Sequence, residues 1–286
     1  MLYAFAILAL PATVKLTPPQ GLNDAPVVFI TEGDITAVVD PTAIITELEK
    51  LSESELLAVV LRHDQVISEL FALLLATDPD TASYSSLLPL RLGTAFGSEA
   101  ALRQVLRDAN ATPNLANGLI EGVISGLING AMPSLNLSPS QLLKYQLQAV
   151  AGCGELVIKI TLTPPTATSE ANNLKGKAYL LAKKAQYDQT QQWQNQIDTE
   201  AAQLQQQLAP LARYAPLVLN PHPPENLRWC VLLPWDHLAP LQNLLEQWQS
   251  DHPHWQITLG GFGAAYHTIA HLAELANAAA TTGNTR

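Results

Sequence analysis

Histidines carry most of the chemical potential in this 286-residue chain, and their spacing is the first thing to weigh. His267 and His271 sit one helical turn apart, a spacing at which two imidazoles can share a metal ion, and His252-Pro253-His254 adds two more rings. No HExxH pattern or cysteine pair accompanies them, so no zinc ligand set is completed. Cys153 and Cys230 lie far apart and fit no CxxC spacing, which suits a reducing compartment. Gly260-Gly261-Phe262-Gly263 stands between a strand-like and a helix-like stretch, as a phosphate loop would, but it lacks the Gly-Lys-Ser/Thr ending and does not fit GxGxxG. There is no GxSxG elbow, and Ser, His and Asp fall at no triad spacing. Asp24, Glu32, Asp34 and Asp40 surround a turn, where local hydrogen bonding accounts for them. No enzymatic activity, metal or cofactor is expected.

Arg91 is the informative charge, because Leu87-Leu88-Pro89-Leu90-Arg91-Leu92 is otherwise apolar. It is expected to form a structural ion pair with a carboxylate such as Glu99, with a partner contact as the alternative. The wider charge pattern narrows the function classes. With 15 basic and 25 acidic residues the net charge is −10, and no basic cluster offers the counterion release a nucleic-acid surface needs. Only 14% of residues are charged against about 25% in an average soluble chain, while 48% are hydrophobic. A core can therefore form, and little charge is left to cover apolar surface without a partner.

These residues must be positioned by elements readable from periodicity. Tyr3 to Ala9 reads as a buried strand, not a signal peptide: no basic residue precedes it and Pro11 ends it. No apolar run approaches the roughly 20 residues of a membrane helix, so a cytoplasmic location is expected. Val27–Thr31 and Ile35–Val39 form a hairpin around Gly33. Ser52 and Glu55 make a capping box for a helix whose apolar face carries Leu56, Val59, Val60, His63, Val66, Ile67, Leu70 and Leu74. A strand over Leu87–Leu92, a helix capped by Ser98, a helix starting at Ser138-Pro139 and a strand over Glu155–Leu162 follow.

Between them, Gly118, Gly122, Gly126 and Gly130 recur every fourth residue, and on a helix they would form one flat stripe that another backbone could approach closely. Covering the domain's own core and contacting a partner are both open to it. After the linker Thr163–Ser169, a long helix from about Glu170 to Tyr214 carries Leu174, Ala178, Leu181, Ala185, Trp193, Ile197, Glu200, Leu204, Leu208 and Leu211 at coiled-coil spacing, with glutamine-rich outer faces. Those faces are expected to be solvated, the alternative being a second helix from a partner. A strand at Arg228–Leu233, an amphipathic helix through Trp248, a strand at Trp255–Leu259 and a final Ala-rich helix complete the chain.

Several strings, in order, resemble the gas vesicle GvpF/GvpL family. They are Leu2-Tyr3-Ala4-Phe5-Ala6-Ile7, Gly33–Val39, Arg62–Ile67, Glu155–Ile160 and Gly176-Lys177-Ala178-Tyr179-Leu180. The most specific is Leu88-Pro89-Leu90-Arg91-Leu92-Gly93-Thr94-Ala95-Phe96. Two departures stand out: Gly260–Tyr266 has lost the prolines of the family's closing segment, and the glycine stripe looks inserted between two family helices. The resemblance implies an α+β fold of two modified ferredoxin-like domains with a long coiled-coil-like helix. The expected division is 1–163, carrying the Gly-rich helical insertion near 110–140, and 164–286, opening with the long helix. It further implies an accessory or minor structural protein of gas vesicle assembly, not an enzyme, in the cytoplasm or on the vesicle. Its expected partners are the hydrophobic shell protein GvpA and other gas vesicle accessory proteins, with no nucleic acid or membrane. Arg91, Gly118, Gly122, Gly126 and Gly130 are the candidate contact residues. A small-molecule-binding regulatory α+β protein is the alternative; it requires a concave apolar pocket with convergent polar groups.

Overall fold

A computed structural model describes residues 1–11, 13–43, 50–77, 84–113, 138–164, 175–220 and 226–272. The first sheet is built on β1 (Leu2–Ala9), which lies between β3 (Ile35–Asp40) and β4 (Ser86–Pro89). Outside β3 is β2 (Val28–Glu32), giving the order β2-β3-β1-β4, and the two-residue β5 (Ala95–Phe96) also pairs with β1. All these pairings are antiparallel. β1 reads as a continuous apolar run because both its faces are buried. Tyr3, Phe5 and Leu8 join one core cluster, Ala4 and Ile7 the other. Strict alternation would not send Ile7 and Ala4 to one side, and a register shift against β3 between Ala4 and Ala6 explains it.

Helices close both faces. α1 (Glu53–Leu75) starts with the expected capping box, Ser52 accepting from the Glu55 amide while Glu55 reaches back, and buries His63, Val66, Ile67, Leu70, Phe71 and Leu74. On the other face, α2 (Glu99–Ala111) is capped by Ser98 and α3 (Pro139–Ala149) by a Ser138–Gln141 box. Leu102, Leu106, Leu143 and Leu147 fill the core beneath them. Arg103 pins α2 to the β2–β3 hairpin, reaching Glu32 at 3.0 Å and Glu99 at 2.8 Å.

The second sheet has the order β7-β8-β6-β9, from β6 (Cys153–Leu162), β7 (Leu217–Asn220), β8 (Asn226–Pro234) and β9 (Trp255–Gly263). α4 (Lys177–Leu208) connects β6 to β7, and α5 (Leu238–Asp251) connects β8 to β9. This is a complete β-α-β-β-α-β arrangement. The first sheet repeats its strand order, with a loop in place of the first helix. β6, on the N-terminal side of the expected 163/164 boundary, is an inner strand of the second sheet. By packing, Met1–Leu156, Leu232–Trp235 and the chain from Gly261 onward form one unit, and Val157–Val231 with Asp236–Gly260 form the other.

Three features differ from expectation. The coiled-coil seam of α4 is buried only at Ile197, Leu204 and Leu208. β5 and β7 are short strands not marked by periodicity. β9 runs on through Gly260–Gly263, past the expected end of the strand at Leu259, and Gly260 allows close approach, since a Cβ there would lie 3.2 Å from the Val157 carbonyl. Both cysteines are buried and neither forms a disulfide. Among the described residues no helix is long and apolar enough to cross a membrane.

Candidate functional site

The segment that carries Arg91 is an excursion from the edge of the first sheet. β4 pairs with Ala6–Ala9 of β1 and β5 with Leu2–Tyr3, so residues 90–94 bulge out of the ladder between them. The bulge is fastened at both ends, the Leu90 amide donating to the Phe5 carbonyl and the Ala4 amide to the Thr94 carbonyl, each at 2.9 Å. Across it, the Thr94 amide and hydroxyl both donate to the Arg91 carbonyl, at 3.0 and 2.7 Å. Gly93 supplies the turn with φ +86°, a conformation costly for a residue with a side chain.

Beneath this turn lies a buried polar pair. His63 Nε2 is 3.0 Å from the Leu90 carbonyl, and Nδ1 is 2.5 Å from the Tyr3 hydroxyl. A carbonyl can only accept, so Nε2 carries the proton and Nδ1 accepts from Tyr3. Burial pushes the Tyr3 phenol up to about 12, partly offset by the Gly93 amide, which donates to the same oxygen. Burial also holds the His63 imidazole below its ordinary value, against the opposing pull of the Leu90 carbonyl and Asp64. Phe5 stacks on the ring at 5.5 Å. Nearby, burial and the Asp64 carboxylate push the Tyr266 phenol far up; its oxygen is buried and closes no hydrogen bond of normal geometry. The Tyr3–His63 pair thus grips the turn through Leu90 and Gly93 from inside, while Arg91 between them is exposed.

Arg91 does not pair with Glu99, whose carboxylate is taken by Arg103 one helical turn away on α2. The reason is register: Arg91 lies on the bulge, beyond the end of β4 at Pro89, while the Arg103–Glu99 pair is local to one helix. Among the described residues no carboxylate forms an ion pair with Arg91. Gly118, Gly122, Gly126 and Gly130 lie outside the described residues.

Of the four histidines weighed as metal ligands, His267 and His254 are engaged with carboxylates. Glu155, buried on β6, accepts from the His267 and Thr268 amides at 3.2 and 2.8 Å and from the Thr268 hydroxyl at 3.0 Å, and faces His267 Nδ1 at 2.6 Å. It thereby caps the helical residues 266–272 from a distant strand. His254 Nε2 and Trp255 Nε1 each lie 2.7 Å from Glu200 Oε2 on α4. Burial alone would raise Glu200, but the bonds from Gln196, Trp255 and His254 outweigh it and hold the carboxyl below its usual range. His252 stacks on Trp248 at 4.0 Å.

Sequence reasoning singled out Arg91 but not Tyr3 or His63 as the pair that positions it. The available signal was polarity in an apolar setting: a tyrosine inside β1 and a histidine on the buried stripe of α1. Their meeting spans sixty positions of chain and carries no local spacing.

A search of curated proteins returns no match. The chain is similar in structure to the gas vesicle protein GvpF from Anabaena sp. PCC7120, with a TM-score of 0.55 at 18% identity, covering 94% of this chain and 95% of that one. It is also similar to gas vesicle protein GvpF from Microcystis aeruginosa, with a TM-score of 0.54 at 15% identity, covering 94% and 98%. Those likenesses establish the fold. The family model for gas vesicle synthesis protein GvpL/GvpF matches residues 1–114 and 138–268, so it takes in the Tyr3–His63 pair and the Arg91 turn and passes over the glycine stripe. The chain belongs to the GvpL/GvpF family of gas vesicle synthesis proteins.

Proposed function

We propose that this protein is a non-enzymatic accessory or minor structural component of gas vesicle assembly that binds the hydrophobic shell protein GvpA and other gas vesicle proteins. The observation that carries the reading is the Arg91 turn, matched by the family model and built so that an exposed guanidinium is held on a rigid base. An arginine with no described carboxylate at its side presents a fixed fork of donors to whatever docks there. We place its site of action on the gas vesicle. Gly118, Gly122, Gly126 and Gly130 are proposed as a second contact, on their four-residue spacing, which on a helix would align them along one face.

Pull-down of the shell protein tests both. Arg91→Glu and the pair Gly122→Leu with Gly126→Leu are each expected to weaken capture while the chain stays folded. Undiminished capture by a folded variant sinks the corresponding contact.

A further inference from the structure

We propose that the first half of α4 is a docking helix for a protein segment in which apolar side chains are flanked by carboxylates. Between Lys177 and Gln192 every residue except Ala182 is exposed. Leu180 is 66% exposed, Leu181 58% and Tyr187 68%, whereas Ile197, Leu204 and Leu208 further along the same helix are buried. The helix therefore packs on its own sheet over its second half alone.

Among the described residues, little beyond the helix's own backbone ladder supports the first half. Its N-cap is Gly176, which offers no side-chain bond. Lys177 in the first turn faces the positive end of the helix dipole, the unfavourable arrangement. Among the described residues, side-chain hydrogen bonds along α4 begin at Thr190 and continue through Gln191, Gln194 and Gln196. An isolated helix shorter than about 12 to 15 residues is marginal in water, so an unpacked half-helix of this kind gains most from a partner that covers it.

Charge selects the partner. Lys175, Lys177, Lys183 and Lys184 stand in this stretch against Asp188 alone, a local basic excess that the net charge of −10 conceals and that is too small for a nucleic-acid surface. Lys177, Leu180, Lys184 and Tyr187 recur at three- and four-residue steps and so share one face, with Lys183 beside it. Cations and apolar groups alternate along a single row instead of separating onto opposite faces. A lipid surface favours the separated arrangement, with one continuous apolar face. A second copy of the chain would set lysine against lysine. A segment whose leucines or aromatics meet Leu180 and Tyr187 while its Asp and Glu side chains meet the lysines satisfies both.

The inference rests on the reading that the chain works by binding proteins, and its test is separate from that of the shell contact. The full-length protein is titrated with a labelled peptide of about 20 residues, enough to cover the exposed half. The peptide carries leucines flanked by glutamates; a glutamine analogue and phosphatidylglycerol vesicles serve as the other probes. The acidic peptide is expected to bind about tenfold more tightly than the analogue at low salt and to weaken as salt is added. Lys183→Glu with Lys184→Glu, and separately Leu180→Ser with Tyr187→Ser, are expected to lower that affinity about tenfold with the thermal unfolding curve unchanged, since these side chains are solvent-facing. Equal binding of the two peptides, affinity insensitive to both double variants, binding to vesicles but not to peptide, or self-association through this helix overturns the proposal. Each of those outcomes leaves shell-protein capture, measured through Arg91 and the glycine variants, standing on its own result.

Discussion

The Tyr3 hydroxyl and His63 Nδ1 meet at 2.5 Å inside the first core, and through Leu90 and Gly93 the pair holds the turn that presents Arg91. Replacing His63 by Ala leaves the Tyr3 hydroxyl and the Leu90 carbonyl without that partner and opens a cavity beside Phe5. The expected loss is about 2 to 4 kcal/mol of unfolding free energy in urea titration. Faster hydrogen exchange at the Gly93 and Thr94 amides would accompany it.

The same pair fixes a pH dependence. His63 binds its proton less readily folded than unfolded, so as pH falls below about 6.5 the unfolded chain takes up protons first and stability declines. The decline ends once pH passes below the lower folded value. His63→Ala should flatten this segment of the stability profile, and an unchanged slope between pH 7 and 5 would count against the neutral, Nε2-protonated imidazole.

Asp40 is fully buried at the end of β3 and accepts from the Leu22, Thr42 and Ala43 amides and the Thr42 hydroxyl. Asp40→Ala strands these donors and is expected to cost about 2 to 4 kcal/mol. Gly21→Ala should be costly for a different reason, because a Cβ at Gly21 would overlap the Asp40 carboxylate. A double-mutant cycle between the two positions reads the coupling; strict additivity would contradict it.

Glu155→Ala removes the acceptor that caps residues 266–272. We expect a loss of about 1 to 3 kcal/mol, with increased exchange at the His267 and Thr268 amides. Exchange at those amides identical to the parent would show that the helix start is held by something else.

Glu200 ionises more readily in the folded chain, so its contribution is complete above about 4.5 and is lost as pH falls through the lower folded value. Glu200→Gln should destabilise the protein at neutral pH. The gap between parent and variant should narrow as pH is lowered below that range, as read from tryptophan fluorescence on unfolding.

Elements set by local chemistry were readable from the sequence. The Ser52, Ser98 and Ser138 caps and the Gly33 hairpin each depend on residues within a few positions, and all are present. Elements set by distant pairing were not. β5 and β7 exist because β1 and β8 offer them hydrogen bonds, and periodicity cannot mark strands so short. The seam of α4 reads evenly along the sequence, yet only its second half meets a sheet. The carboxylates divide the same way: Asp40 takes the neighbouring Thr42 and Ala43 donors and only the Leu22 amide from afar, whereas Glu155 meets His267 and Thr268, and Glu200 meets His254 and Trp255, from distant elements. Arg91 was singled out by its apolar neighbours, but the assignment to Glu99 failed because a same-helix arginine competes for that carboxylate.

The shared strand order of the two sheets has a practical meaning for what the scaffold can tolerate. Where one repeat joins its first two strands with the chain between Ala9 and Val28, the other uses the 32-residue helix α4, and every remaining strand keeps its place. That single connection is therefore an interchangeable part. It can differ in kind without reordering a hydrogen-bonded ladder, and within α4 the exposed stretch before Trp193, not the half that buries Ile197, Leu204 and Leu208, is the place for a tag or a cross-linker.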